Sequence, residues 1–184
     1  AEPFERAEEH IDEIGGIKTY PLNAGGWGWA MNAPFPWAKR YGSHFGGTSN
    51  ALVVSWPAQL KGKTGLRSQF HHVSDIMPTI LDVVGIKAPT TLNGVTQQPI
   101  TGISMRYSFE QPQALSQRRM QVFGMAQNLG LYQDGWMLSS TPIANPWSTT
   151  PTKPVPIDQR QWELYDIRQD FNQAHDIATQ NPKK

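Results

Sequence analysis

Apolar residues in this chain fall into short blocks with two different rhythms. The first is a continuous run, "ALVVSW" at residues 51–56, set just ahead of Pro57. A run of this length, bounded by a breaker, predicts a strand buried on both faces, as in the sheet of an α/β domain. The second rhythm is helical. In "FHHVSDIMPTILDVVGIKAP", residues 70–89, Ile76, Ile80, Leu81, Val83 and Val84 gather on one side as the buried face. Ser74 or Asp75 can cap that helix, Pro78 is tolerated in its first turn, Gly85 stands at the natural C′ position and Pro89 follows. A weaker helical period over residues 3–14 (Phe4, Ala7, Ile11, Ile14) stops at Gly15 and Gly16. Residues 17–47 carry aromatics and glycines without a sustained period and read as a long ordered loop, a class that is often functional.

After residue 118 the pattern changes. "MQVFGMA", "LGLYQD" and "GWMLSS" are short segments parted by "QN" and "DG", and Asp134 with Gly135 between apolar runs is a strong hairpin signal. Residues 141–159 hold five prolines and form an irregular excursion. "WELYDI" is a further strand, and "RQDFNQAHDIATQNP" a turn followed by a short helix. Residues 90–118 are loop, with "LNGV" and "QQPITG" as turns. The chain therefore divides into an α/β part, 1–118, and a smaller antiparallel β-sheet part, 119–184.

Composition adds limits. Seven tryptophans in 184 residues require a packed core. The formal charge of +1 gives no reason for a nucleic-acid or acidic-membrane partner. It is uneven, however: residues 1–13 hold six acids and one Arg, leaving nine acids against 15 bases in the rest. That mild positive bias suits an anionic ligand. With no cysteine, disulfides, thiolate metal sites and a cysteine nucleophile are excluded within this chain. No apolar run reaches membrane-spanning length, and the acidic start lacks the apolar core of a secretion signal, which leaves the compartment unassigned between cytoplasm and periplasm.

The cationic cluster in "NAPFPWAKRYGSHFGG", residues 32–47, is the candidate chemistry. Lys39 is either a snorkelling surface residue or a point charge for a sulfate or phosphate oxygen. Arg40 is its rival at the same site. His44 can donate to an anion or hydrogen-bond backbone near Gly46. Gly46 and Gly47 either let backbone approach a ligand or supply positive φ before the strand. Trp27, Trp29 and Trp37 either wall an aromatic pocket or fill core, with core favoured. His71 and His72, being adjacent, diverge on any regular element and read as structural, as do Asp134 and Asp166 in turns. A P-loop, GxGxxG and HExxH are absent.

These blocks resemble a family. "PFPWAKRYGSHFGGTSNALVVSWP" is similar to the sulfatase segment in which a lysine precedes Gly-Gly and a core strand ends in Trp-Pro. "HHVSDIMPTILDVVGIKAP" resembles the sulfatase stretch that closes its helix at "GI", and "GWMLSS" and "WELYDIRQDFNQAHDIA" resemble the C-terminal subdomain. Four ordered blocks match across residues 25–180, and "IDEIGG" and "GWGWAMNAPF" look like the large bacterial arylsulfatases. The resemblance implies the C-terminal portion of an alkaline-phosphatase-like α/β fold with a small antiparallel sheet. It implies hydrolysis of sulfate esters to an alcohol or phenol and sulfate, with a calcium ion and a formylglycine nucleophile. The formylglycine motif, Cys/Ser-x-Pro-x-Arg, is not met: "SWPAQ" at 55–59 and "STPIA" at 140–144 lack the Arg. The Asp-Asp and Asp-Asn metal ligands are also missing, so nucleophile, calcium and their ligands are expected on the missing N-terminal part, which becomes a required partner. The family's sulfate-contacting lysine matches Lys39, with Arg40 as alternative occupant and His44 beside them as a further substrate-binding candidate. Alone, the segment is expected to be inactive. The competing readings are a non-catalytic binding or structural piece, and a phosphodiesterase or phosphonate hydrolase of the same superfold.

Overall fold

The computed structural model describes residues 9–13, 15–17, 25–146, 148, 150 and 152–183. The chain separates into two compact units: one of residues 1–49, 122–131 and 135–184, the other of residues 50–121 and 132–134. The architecture mixes helices with two antiparallel sheets. Most of the helical reading over 3–14 lies outside the described residues; inside them, Ile11–Glu13 forms a single 3-10 turn.

A four-stranded sheet lies mostly within the first unit. Its strands are β3 (Met120–Met125), β4 (Asn128–Gln133), β5 (Trp136–Ser140) and β6 (Trp162–Asp166), in the order β3-β4-β5-β6. Two-residue turns join the first three. Asp134 and Gly135 both have positive φ (48° and 88°), and so do Ala126 and Gln127 (46° and 71°), the twist that tight hairpins need. The sequence placed that first turn one residue too late, at "QN". β5 pairs with β6 in the register Trp136 to Asp166 and Leu138 to Leu164. Alternation sends Asn128, Gly130, Met137 and Ser139 inward, and Met137, Tyr41, Phe45, Leu164 and Tyr165 form the buried core.

The loop expected over 17–47 contains two helices instead, α1 (Gly25–Met31) and α2 (Phe45–Thr48). Glycines hide the helical spacing of α1, and ring contacts override composition: Trp29 meets Trp37 edge-on at 6.1 Å, and Trp37 stacks on Tyr41 at 4.9 Å. Trp27, expected as core or pocket wall, is exposed.

The second unit contains α3 (Pro57–Leu60), α4 (Ile76–Val84) and α5 (Arg106–Glu110), and a small hairpin of β1 (Thr91–Leu92) and β2 (Val95–Thr96) turning on Asn93 and Gly94. α4 ends at Gly85 in the left-handed region (φ 71°), as the sequence indicates. Its start differs. His72 caps a 3-10 turn, Val73–Asp75, in a reciprocal box: Ser74 N–H donates to His72 Nδ1, and His72 N–H donates to the Asp75 carboxylate at 2.9 Å.

Two expectations are overturned here. Residues 51–56 form no strand; they pair with no strand among the described residues, and 51–55 are exposed. A two-faced apolar run becomes a strand only when neighbours supply ladder hydrogen bonds, and none does so here. The predicted inner side of α4 holds only at Leu81 and Val83, which are half-buried. Ile76, Ile80 and Val84 are exposed, and within the helix only Thr79 is buried. Polar bonds decide the orientation. Thr79 Oγ1 donates to Asp75 C=O at 2.6 Å and accepts from Met105 N–H at 2.8 Å, while Asp82 takes Ser104 Oγ–H at 2.6 Å and Arg106 Nη1–H at 3.1 Å.

The hub of the second unit is the fully buried Asp75. Arg118 grips both carboxylate oxygens, through Nε at 2.9 Å and through Nη2, and the Ile103 N–H adds a bond at 2.8 Å. Burial pushes the Asp75 carboxyl up, but the bonds from Arg118, Ile103 and His72 outweigh it and hold it below the usual carboxylate range.

Candidate functional site

The loop bearing Lys39, Arg40 and His44 hangs from the first unit by side-chain bonds. Asn32 Nδ2 donates to the carbonyls of Trp37 (2.7 Å) and Gly46 (3.0 Å), tying both ends of the loop to one amide. Tyr41 O–H donates to the Ala144 carbonyl at 2.7 Å. On either side of Lys39, Trp37 (φ 65°) and Arg40 (φ 84°) lie in the left-handed region, where non-glycine residues are uncommon. The Arg40 carbonyl accepts from Asn128 Nδ2 at 3.3 Å.

Lys39 and Arg40 are exposed, and neither forms an ion pair among the described residues. His44 is in the opposite situation, with 1% of its surface accessible. Its Nδ1 lies 2.8 Å from Ser43 Oγ and its Nε2 lies 2.9 Å from Glu163 Oε2. Glu163 also accepts from Tyr165 O–H at 2.6 Å. Burial pushes the Glu163 carboxyl up; bonds from His44, Thr141 and Tyr165 more than reverse this and bring it to about 2. An ionised carboxylate only accepts, so His44 donates from Nε2, and in the neutral ring Nδ1 accepts from the Ser43 hydroxyl. Beneath this pair, Ser139 Oγ–H donates to the Ser43 carbonyl at 2.6 Å. Gln173 Nε2 donates to Ser139 Oγ at 3.1 Å, and Phe45 N–H donates to Gln173 Oε1 at 2.7 Å.

Serine, histidine and glutamate in hydrogen-bonded order invite comparison with a nucleophilic triad. The burial argues for a brace, since Ser43 and His44 are both sealed from any substrate. Substrate contact by His44, as expected from the sequence, would require the ring to leave Glu163. The structure thus brings Lys39 and Arg40 to the surface side by side and puts His44 underneath. Positive φ, one of the two purposes expected of Gly46 and Gly47, is not the one they serve. Their φ angles are not positive, and the atom a Cβ at each would meet is a carbonyl oxygen of the loop itself: Pro36 at 2.1 Å for Gly46, Tyr41 at 2.2 Å for Gly47.

Sequence reasoning missed Glu163, Ser43, Ser139 and Gln173. Glu163 did leave a signal, since a lone carboxylate between apolar strand residues in "WELYD" demands a buried partner. A hollow of about 210 Å³ opens along the aromatic-proline run, against Trp29, Pro34, Phe35 and Gln173; neither Lys39, Arg40 nor His44 lines it. Among the described residues no three His, Asp or Glu side chains converge to hold a metal ion. None of the described helices is long and apolar enough to cross a membrane.

No family model matches the chain. Among solved structures it resembles a sulfatase of Bacteroides thetaiotaomicron, from a versatile core genetic locus that orchestrates metabolism of multiple glycosaminoglycans. The TM-score is 0.54 at 16% identity, over 78% of this chain and 28% of that one. The likeness is one of fold, and the chain spans little more than a quarter of its neighbour's length.

Proposed function

We propose, with that sulfatase-related fold as premise, that this chain is the C-terminal portion of a sulfuric ester hydrolase of the arylsulfatase type, built on an alkaline-phosphatase-like domain. The observation that carries the reading is the sulfatase fold likeness over 78% of the chain; the Lys39 to Gly47 block supplies the chemistry. In this reading, the exposed Lys39 ammonium sits at the rim of a substrate cleft and neutralises oxygens of the ester sulfate as charge develops in the transition state. Arg40 is the adjacent cation that can take the same place. His44 and Glu163 hold the loop from below, so that the ammonium is delivered in one position. A calcium ion and a formylglycine nucleophile would reside on polypeptide outside these 184 residues, supplying the attack on sulfur.

The test is made in the complete polypeptide that carries this segment. Lys39→Ala lowers turnover of an aryl sulfate by about 10²–10³-fold, as removal of one preorganised donor does elsewhere, with the folded state unchanged. Wild-type rates in that variant retire the assignment, and loss of activity in Arg40→Ala alone transfers it to Arg40. An enzyme that prefers a phosphate diester to an aryl sulfate moves the protein to the phosphodiesterase branch. A complete polypeptide inactive on both makes the segment a binding or structural piece.

A further inference from the structure

The hollow of about 210 Å³ beside the aromatic-proline run belongs wholly to the first unit, and the hydrolase reading makes no use of it. Trp29, Pro34, Phe35 and Pro36 form its apolar walls, and Asn172 and Gln173 bring amides to it. Among the described residues, no Lys, Arg, His, Asp or Glu lines it.

The walls are held in place before any ligand arrives. Trp29 is fixed edge-on against Trp37 at 6.1 Å, yet keeps 38% of its surface accessible. Phe35 stands edge-on to both Phe45 (6.3 Å) and Phe171 (5.4 Å). The Gln173 amide is engaged at both ends, by Ser139 Oγ and by the Phe45 N–H, and its backbone lies in the left-handed region at φ 53°. Asn172 differs. It is half-buried, and its side-chain amide has no hydrogen-bond partner among the described residues.

These properties select a ligand. The volume lies below the roughly 300–1,000 Å³ of drug-sized pockets and suits a single ring. With no charge in the lining, an ionic group would lose its water and gain no partner. A purely apolar ring would strip water from the Asn172 amide and return nothing. A ring with C–H faces and hydroxyl edges, a pyranose, satisfies walls and amide together. Its C–H groups pack against Trp29 and Phe35, while neighbouring hydroxyls donate to Asn172 Oδ1 and accept from Nδ2. Because the walls are already fixed, little ordering cost is left for binding.

We propose that this hollow is a binding site for one uncharged pyranose unit, with Trp29 as the apolar platform and Asn172 as the hydroxyl partner. Lys39, Arg40 and His44 do not line it, so the inference stands apart from sulfate-ester hydrolysis.

The experiment is a titration of the ¹⁵N-labelled 184-residue chain, read by two-dimensional NMR. The probes are the methyl β-glycosides of glucose, galactose, mannose and N-acetylglucosamine, with 4-nitrophenol as an aryl comparison. At least one glycoside is expected to move the Trp29 indole N–H and the Asn172 side-chain NH₂ signals saturably. A Kd of about 1 mM is what roughly 13 ligand atoms support. Asn172→Ala, which breaks no side-chain bond of the fold, weakens that binding at least about tenfold, and Trp29→Ala does the same. Trp27→Ala, an exposed site on the same helix but outside the hollow, leaves it unchanged. No saturable shift from any of the four glycosides up to about 50 mM overturns the inference. So does 4-nitrophenol binding more tightly than every glycoside, or full affinity in either Asn172→Ala or Trp29→Ala. The hydrolase reading is decided by turnover at Lys39 and is untouched by either result.

Discussion

Replacing Glu163 by alanine isolates the brace beneath the cationic loop, and its cost can be worked two ways. Glu163 moves from an ordinary value of 4.5 to about 2 in the fold, which at 1.36 kcal/mol per pH unit is about 3 kcal/mol of preference for the ionised, bonded form. Its side chain is 19% exposed, so little of this is lost to solvent screening. Counted by bonds, the substitution leaves the His44 Nε2–H and the Tyr165 O–H without an acceptor in a buried setting, about 1–3 kcal/mol each. Both routes give about 3 kcal/mol. Because the folded carboxyl lies below its unfolded value, the contribution is complete above pH 4.5 and disappears as pH falls toward 2. Urea unfolding of the first unit, followed by native-state hydrogen exchange at Phe45, therefore puts Glu163→Ala about 3 kcal/mol below wild type at pH 7. With a urea slope of about 2 kcal/mol/M, the midpoint falls by about 1.5 M. The gap narrows at pH 3, and Glu163→Gln, which keeps one acceptor, lies between. A difference under about 0.5 kcal/mol at pH 7, or a gap of the same size at pH 6 and pH 3, refutes the reasoning.

Three other outcomes follow from the geometry. Asp75→Ala leaves Arg118 buried without its partner and costs the second unit about 3–5 kcal/mol, whereas adding Arg118→Met restores much of it; thermal melts of the single and double variants decide this. Burial holds His71 below 6.5, with Arg118 adding to the effect and Asp75 opposing it. The folded ring stays neutral while the unfolded one takes a proton, so stability declines as pH drops from about 6.5 toward the folded value, and His71→Gln flattens the pH 7 to 5 slope of the urea midpoint. Gly46→Ala and Gly47→Ala each drive a methyl into a loop carbonyl and cost about 1–3 kcal/mol, which differential scanning fluorimetry reads against Gly28→Ala, whose added Cβ meets nothing within 4 Å and which, lying within α1, raises stability by up to about 1 kcal/mol.

What the sequence disclosed was local. Gly85 ending a helix, Asp134 with Gly135 turning a hairpin and the strand in "WELYD" all rest on signals within a few residues, and the structure reproduces each. What it concealed depends on distant partners. His44 and Glu163 are 119 residues apart along the chain, so neither announces the other. The apolar period of α4 was legible, but its orientation was set by Met105, Ser104 and Arg106, reached through polar bonds that no hydropathy pattern encodes. Residues 51–56 had the right pattern for a central strand and lacked the neighbours that make one. α1 was lost among glycines because its anchor, Trp37, lies beyond the helix.

An outward-facing oily side on α4 has a bearing on biogenesis. Freshly made chains meet one another through the same greasy helix, and self-association competes with folding wherever they are concentrated. Yield in a cell is then governed by kinetics: slower synthesis, cooler growth or a chaperone that masks Met77 and Ile80 raises the recovered fraction, even where none of these alters the finished fold.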